Sequence, residues 1–220
     1  MIKLLLTLSL ASMSLLAIPF NKTAILVDHN ANDIANQEFK FKRVPSPVKD
    51  DAAAKAKLVL IDGEIDGNGA DLVAVTDGLL PTDSDEPAAN FFFNAGTSGG
   101  RFRLDLGRVI DLAQVHSYSW HPNTRGPQVY KLYGSEGTDP KFNADPNRRV
   151  DPTTVGWVLI ASVNTSTTHG ADGGQYAVGI SSSAGTLGRY RHLMFDCYVT
   201  ETSDDWGNTF YSEIDVIEKK

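Results

Sequence analysis

The stretch from Gly100 to Ser135, GRFRLDLGRVIDLAQVHSYSWHPNTRGPQVYKLYGS, decides the fold. It opens on strict alternation, with Phe102, Leu104 and Leu106 on one face and Arg101, Arg103 and Asp105 on the other. A period of two predicts a half-buried strand whose charges face solvent. Gly107-Arg108 predicts a turn, and Val109 to Trp120 a second strand. His121-Pro122-Asn123-Thr124-Arg125-Gly126-Pro127 is a run of turn formers and predicts a loop, after which Gln128 to Tyr133 resumes β-type residues.

Working outward, strand signals continue on both sides. Leu58 to Ile61, Leu72 to Val75, Trp157 to Val163, Gly173 to Ser183, Arg189 to Phe195 and Phe210 to Val216 each predict a strand. Asp62 to Asp71 is dense in Asp, Asn and Gly, but its spacing does not match a helix-loop-helix calcium loop, so it predicts turns. Upstream, Phe39-Lys40-Phe41-Lys42 alternates like an edge strand, and Asp50 to Lys55 reads as a single helical turn.

Several motifs, in order, resemble the discoidin family, which comprises coagulation factor 5/8 type C domains and many bacterial carbohydrate-binding modules. They are Thr76-Asp77-Gly78, the Asp105-Leu106-Gly107 strand pair, the Trp120-ended strand with its Arg125 loop, Pro127 to Gly137, Arg189-Tyr190-Arg191 and the closing Glu213-Ile214-Asp215-Val216. The resemblance spans residues 57–218. It implies an all-β jelly-roll β-sandwich of two antiparallel sheets, galactose-binding-like, and a binding module. Where relatives carry a Trp after the Asp-Gly pair, this chain has Phe91-Phe92-Phe93.

The chain of 220 residues is 41% hydrophobic and 21% charged, a globular composition with enough length for one β domain. Residues 1–17 read as a signal peptide: Lys3 is the only charge, Leu4 to Leu16 is apolar but short for a bilayer span, and Ala17 suits cleavage. Residues 18–56 then form a lead-in packed on the sandwich, and residues 57–220 the discoidin-like sandwich. The formal net charge of −7, with no basic cluster, argues against nucleic acid and anionic membranes as partners. Cys197 is the only cysteine and alternates with Leu193 and Phe195, so it reads as core. Without a disulfide to clasp its ends, the chain resembles bacterial secreted modules more than animal discoidin domains. A secreted, periplasmic or cell-surface bacterial protein is expected, with no membrane insertion once the signal is cleaved.

The resemblance also implies sites. Relatives place a calcium between the Asp-Gly loop and the last strand; here Asp77 and Glu213 would supply carboxylates, with further oxygens from Leu80 to Asp85, including Asp83 and Asp85. One structural Ca2+ is the cofactor expected. Sugar recognition needs an aromatic face and planar hydrogen-bonding groups, which relatives take from the loop after the Trp-ended strand and the loop before the last strand. Those positions hold His121, Asn123 and Arg125, and Trp206 and Asn208. Trp206 is the sharpest signal, because it sits in a polar loop with no strand periodicity to call for it. The sequence contains no His-Glu-x-x-His pair or phosphate loop, so a non-catalytic module that binds carbohydrate or a glycoconjugate is expected. Two rivals remain: an extracellular protein-docking or adhesion domain, and a small hydrolase or lyase using His121 with loop acids.

Overall fold

The computed structural model describes residues 23–169, 172–200 and 207–220. The predicted signal peptide and Trp206 therefore lie outside the described residues. Within them the strands are β1 (Thr23–Ala31), β2 (Lys57–Asp62), β3 (Gly100–His121), β4 (Val129–Ser135), β5 (Val158–Asn164), β6 (Gly174–Ser182), β7 (Gly188–Cys197) and β8 (Tyr211–Glu218).

The stretch that opens on Gly100 is one strand of 22 residues, not two strands joined by a turn. Its pairing with β7 runs from Gly100↔Cys197 to Leu112↔Gly188 and shifts register only between Asp105 and Ile110. Gly107 lies in that shift with a φ of 77°, which glycine adopts without steric cost, and its N–H donates to Asp105 Oδ1 at 2.9 Å. The predicted turn is thus a wide bulge: residues 106–109 stand opposite Arg191 alone, between the Asp105↔His192 and Ile110↔Tyr190 pairs.

The length of β3 lets it serve two sheets. Arg101 to Asp105 run between β2 and β7, while Val115 to Ser119 run between β6 and β8. One sheet is ordered β2-β3-β7-β4-β5 and the other β8-β3-β6-β1, with every pair antiparallel. The inward faces meet in one core: Phe102, Leu104, Leu193 and Phe195 from the first sheet, Val115, Val178, Ile180, Ile214 and Val216 from the second. Phe102 and Phe195 stack with centroids 5.1 Å apart, and Cys197 is buried in the same cluster. This is the all-β sandwich that the resemblance to the discoidin family implied.

The outer face of the first sheet departs from expectation. Arg101 and Arg103, predicted to face solvent, are buried, because residues 136–157 fold over them. Arg101 Nη1 donates to the carbonyls of Pro146, Asn147 and Val150, and Arg103 Nε donates to Asp145 at 2.9 Å. Phe142 and Trp157 close that cover against Tyr133 and Met194. A guanidinium tolerates such burial where most of its N–H groups are met, as carbonyls and carboxylates meet them here.

Four local expectations are also corrected. The lead-in supplies a full strand, with β1 paired to β6 from Thr23↔Ser182 to Ala31↔Gly174. Phe39–Lys42 is not a strand: Phe39 and Phe41 meet edge to face, and Phe41 leans on Tyr118, so side-chain packing and not ladder pairing holds the segment. Leu72–Thr76 is a 3-10 helix, whose period of three buries Leu72 and Val75 and exposes Val73. Asp50–Lys55 forms no helix; the Asp51 carboxylate instead accepts from the N–H groups of Ala53 and Val216, tying the segment to β8.

Phe195 touches both Phe102 and Tyr130, so Phe195→Ala is expected to cost about 3–5 kcal/mol of stability. Urea unfolding followed by tryptophan fluorescence measures this as a lowered midpoint.

Candidate ligand-binding site

The C-terminal end of β3 opens into a loop that turns back tightly. Gly126 N–H donates to Asn123 O at 2.8 Å, and Ser119 Oγ to Gly126 O at 2.5 Å. Phe210 N–H donates to Arg125 O at 3.0 Å, and Thr209 Oγ1 to Pro127 O at 2.7 Å, which fixes this loop to the start of β8. Between them lies an open cleft of about 620 Å3, lined by His121, Asn123 and Arg125 with Asp85, Phe92 and Phe210 among its walls.

Its base is aromatic. Phe92 and Phe210 stack with centroids 3.9 Å apart and planes 13° from parallel. The Arg125 guanidinium carbon lies 5.2 Å from the Phe92 centroid and 4.9 Å from that of Phe210, and the His121 ring meets Phe210 edge-on at 4.5 Å. Packing on aromatic faces orients the guanidinium and gives it cation–π stabilisation.

His121 is buried, and burial is the main reason its pKa is lowered to about 4; Arg125 adds to the shift and Asp85 opposes it. The imidazole is therefore neutral near pH 7. Its Nδ1 accepts from Asn123 N–H at 3.2 Å, so the proton resides on Nε2. Nε2 lies 3.8 Å from Asp85 Oδ1, too far for a direct bond. A donor and an acceptor thus stand side by side on the cleft wall, both within reach of one hydroxyl placed off the line between them. Asp66, also on the wall, accepts from Asn68 N–H and Nδ2, capping its own turn.

Of the predicted ligand residues, the structure brings His121, Asn123 and Arg125 together. Asn208 is buried outside the cleft, where Nδ2 donates to Asn94 O at 2.6 Å and Thr97 O at 3.2 Å, so it braces the neighbouring loop. Trp206 lies outside the described residues; the residues on either side, Thr200 and Gly207, are joined by a backbone bond of 2.8 Å, and Thr200 Oγ1 donates to the cleft residue Thr124. Phe92 and Phe210 were missed. Alternation in Phe91-Phe92-Phe93 carried the signal for Phe92, since Phe91 and Phe93 face the core and Phe92 faces away.

The expected calcium ligands divide. Glu213 is fully buried; Oε2 accepts from Gly78 N–H at 2.7 Å and Oε1 has no hydrogen-bond partner. Burial first, then the charges of Asp215 and Asp77, push its pKa up to about 9. A buried carboxylate with an unmet oxygen beside a second acid fits a cation, with carbonyls completing its shell. Asp83 and Asp85 are not part of it, Asp83 capping Ser84 and Asp85 facing His121. Among the described residues, no group of three or more His, Cys, Asp or Glu side chains gathers to hold a metal ion.

Solved structures similar to this one share its architecture. The lectin domain of lectinolysin, complexed with Lewis b, superposes with a TM-score of 0.50 at 12% identity, covering 79% of this chain and 99% of that one. The chain has a discoidin-type, galactose-binding-like fold. A carbohydrate-binding module from Clostridium perfringens in complex with GalNAc-β-1,3-galactose matches at TM-score 0.47 and 14% identity, covering 76% of this chain and 97% of that one. A family 32 module of the C. perfringens protein NanJ, in complex with galactose, matches at 0.46 and 9%, covering 75% and 95%. No protein-family model matches the sequence, and no curated protein is similar to it.

Two outcomes are expected for the discoidin-type sandwich. Asn208→Ala, which removes buried donors to the 94–97 loop, costs about 1–3 kcal/mol in chemical denaturation. His121 binds its proton less readily folded than unfolded, so its contribution to stability is complete above about pH 6.5 and falls as the pH drops toward 4. His121→Phe flattens that part of a plot of melting temperature against pH.

Proposed function

We propose that the protein is a secreted, non-catalytic carbohydrate-binding module that holds a sugar in the His121 cleft. The observation that carries this reading is the neutral His121 Nε2–H and the Asp85 carboxylate side by side, 3.8 Å apart, next to Arg125 on its aromatic base. Sugar hydroxyls donate and accept at once, and planar guanidinium and carboxylate groups match vicinal pairs of them. The ligands named with the similar structures, Lewis b, galactose and GalNAc-β-1,3-galactose, set the first chemical range to try. Trp206 supplies the stacking face in this reading, a role supported by its place in sequence four residues before the cleft residue Phe210. Secretion is supported by the charge and apolar pattern of residues 1–17. No helix among the described residues is long and apolar enough to cross a membrane.

The reading includes one structural Ca2+, with Glu213 and Asp77 as its carboxylate ligands. Without a cation, Glu213 keeps its proton in the folded state up to about pH 9 while the unfolded state releases it near 4.5, so stability falls as pH rises between those values. Calcium would displace the proton and offset that loss.

A glycan array probed with residues 18–220 in calcium buffer tests the first claim. Bound signal is expected, and His121→Ala and Trp206→Ala, each verified as folded by circular dichroism, lower it about tenfold, the scale of one lost hydrogen bond or stacking contact. A blank array from folded protein overturns the carbohydrate reading in favour of protein docking. For the metal, millimolar calcium is expected to raise the melting temperature at pH 8 over chelator-treated protein, and Glu213→Gln to abolish the difference. Equal melting temperatures in wild type would remove calcium from the model of this module.

A further inference from the structure

A second cleft, of about 710 Å3, opens beside the first and is lined by Asp62, Glu64, Arg101, Arg148, Arg149 and Asp196. Its base is a buried ion-pair group. Arg101 Nη2 and Tyr198 Oη both donate to Asp196 Oδ2, at 3.0 and 2.7 Å, and Arg148 Nε lies 3.3 Å from Asp196 Oδ1. Arg148 is held in turn by Ser98 O at 2.6 Å and by its backbone N–H on Asp62 at 2.6 Å. Two polar atoms of this base have no hydrogen bond: Arg101 Nε, a donor, and Asp196 Oδ1, an acceptor. Arg101 Nε is the costlier of the two, since Asp196 Oδ1 keeps its ion pair with Arg148, and a group that both donates and accepts relieves them together.

The charges select the class of ligand. Three guanidinium groups stand against three carboxylates, so the cleft is formally neutral and dense in donors and acceptors. A sulfate, phosphate or uronate would meet Asp62, Glu64 and Asp196 as well as the arginines. A neutral polyhydroxyl compound matches both sets.

The two clefts share a wall. Glu64 lines the second and Asp66 the first, with only Ile65 between them, about 7 Å of extended chain. The wall is rigid, because Asn94 N–H donates to Glu64 O at 2.9 Å and Asp66 N–H to Phe92 O at 3.1 Å. Asn208 braces its far side through Asn94 and Thr97, and Thr97 itself lines the second cleft.

We infer that the clefts are consecutive subsites for one neutral oligosaccharide, the second holding the sugar unit next to the one at His121. This rests on the carbohydrate reading above. Arg149 and Glu64 are exposed at the rim of the second cleft and do not line the first, so they can be replaced without opening the core.

The test measures binding of galactose, N-acetylgalactosamine, GalNAc-β-1,3-galactose and Lewis b by titration calorimetry and on the array. It uses wild type, the double variant Glu64→Ala/Arg149→Ala, and His121→Ala. Wild type is expected to bind at least one oligosaccharide about tenfold more tightly than either monosaccharide, as one or two added hydrogen bonds would give. The double variant loses that advantage and keeps its monosaccharide affinity; His121→Ala weakens both. Equal wild-type affinity for mono- and oligosaccharides, or an advantage that survives in the double variant, overturns the second subsite and leaves the first standing. No binding to any of the four probes or to the array overturns both.

Discussion

The main-chain ladder of β3 is the constraint on which the rest depends. One strand of 22 residues hydrogen-bonds to four neighbours, two in each sheet, and so joins the sheets covalently. Its pairing with β7 breaks over residues 106–109 and resumes from Ile110 to Leu112, and Leu112 also pairs with Glu218 of β8, so the strand passes from one sheet to the other there. The core closes because Phe102 and Val115, on the two halves of one strand, are brought to the same interior.

Both clefts follow from this arrangement. β3 begins beside Arg101 and ends at His121, so each end of the strand delivers a residue to one cleft. Short segments anchored to the sheet then frame them: residues 64–66 on residues 92–94, and the 121–127 loop on the start of β8. Desolvation acts on the two polar sets differently. In the first cleft it leaves His121 neutral, an uncharged donor near pH 7. In the second, Arg101 and Asp196 are buried as a pair, and each charge stabilises the other where water cannot.

The legible parts of the sequence were those governed by local periodicity. Alternation marked β2, β4, β5, β6, β7 and β8, and the turn formers of residues 121–127 marked the loop that carries three cleft residues. Less legible was anything decided by partners distant in sequence. Gly107-Arg108 has turn chemistry and the chain bulges there, but pairing with β7 on both sides, at Asp105 and Ile110, makes it one strand. Leu72–Thr76 has strand-type residues, but Asp71 O accepts from Ala74 N–H and winds it into a 3-10 turn. Asn208 has the chemistry of a sugar ligand, yet carbonyls more than a hundred residues away occupy its amide.

The sequence by itself determined that the chain is rich in strands and carries a polar, Arg-bearing loop after Trp120, because a period of two and a run of turn formers are local properties; the sandwich was what its resemblance to the discoidin family implied. It also determined that Cys197 belongs to the core and that His121, Asn123 and Arg125 travel together. Only the tertiary structure decided that Arg101 and Arg103 are buried, since their cover comes from residues 136–157. Only it decided that Phe92 and Phe210, far apart in the chain, stack into one base beneath Arg125, and that Asp85 faces His121 instead of joining Glu213. Periodicity states which face of a strand is apolar; what covers the other face is a contact between distant segments, and no local pattern encodes it.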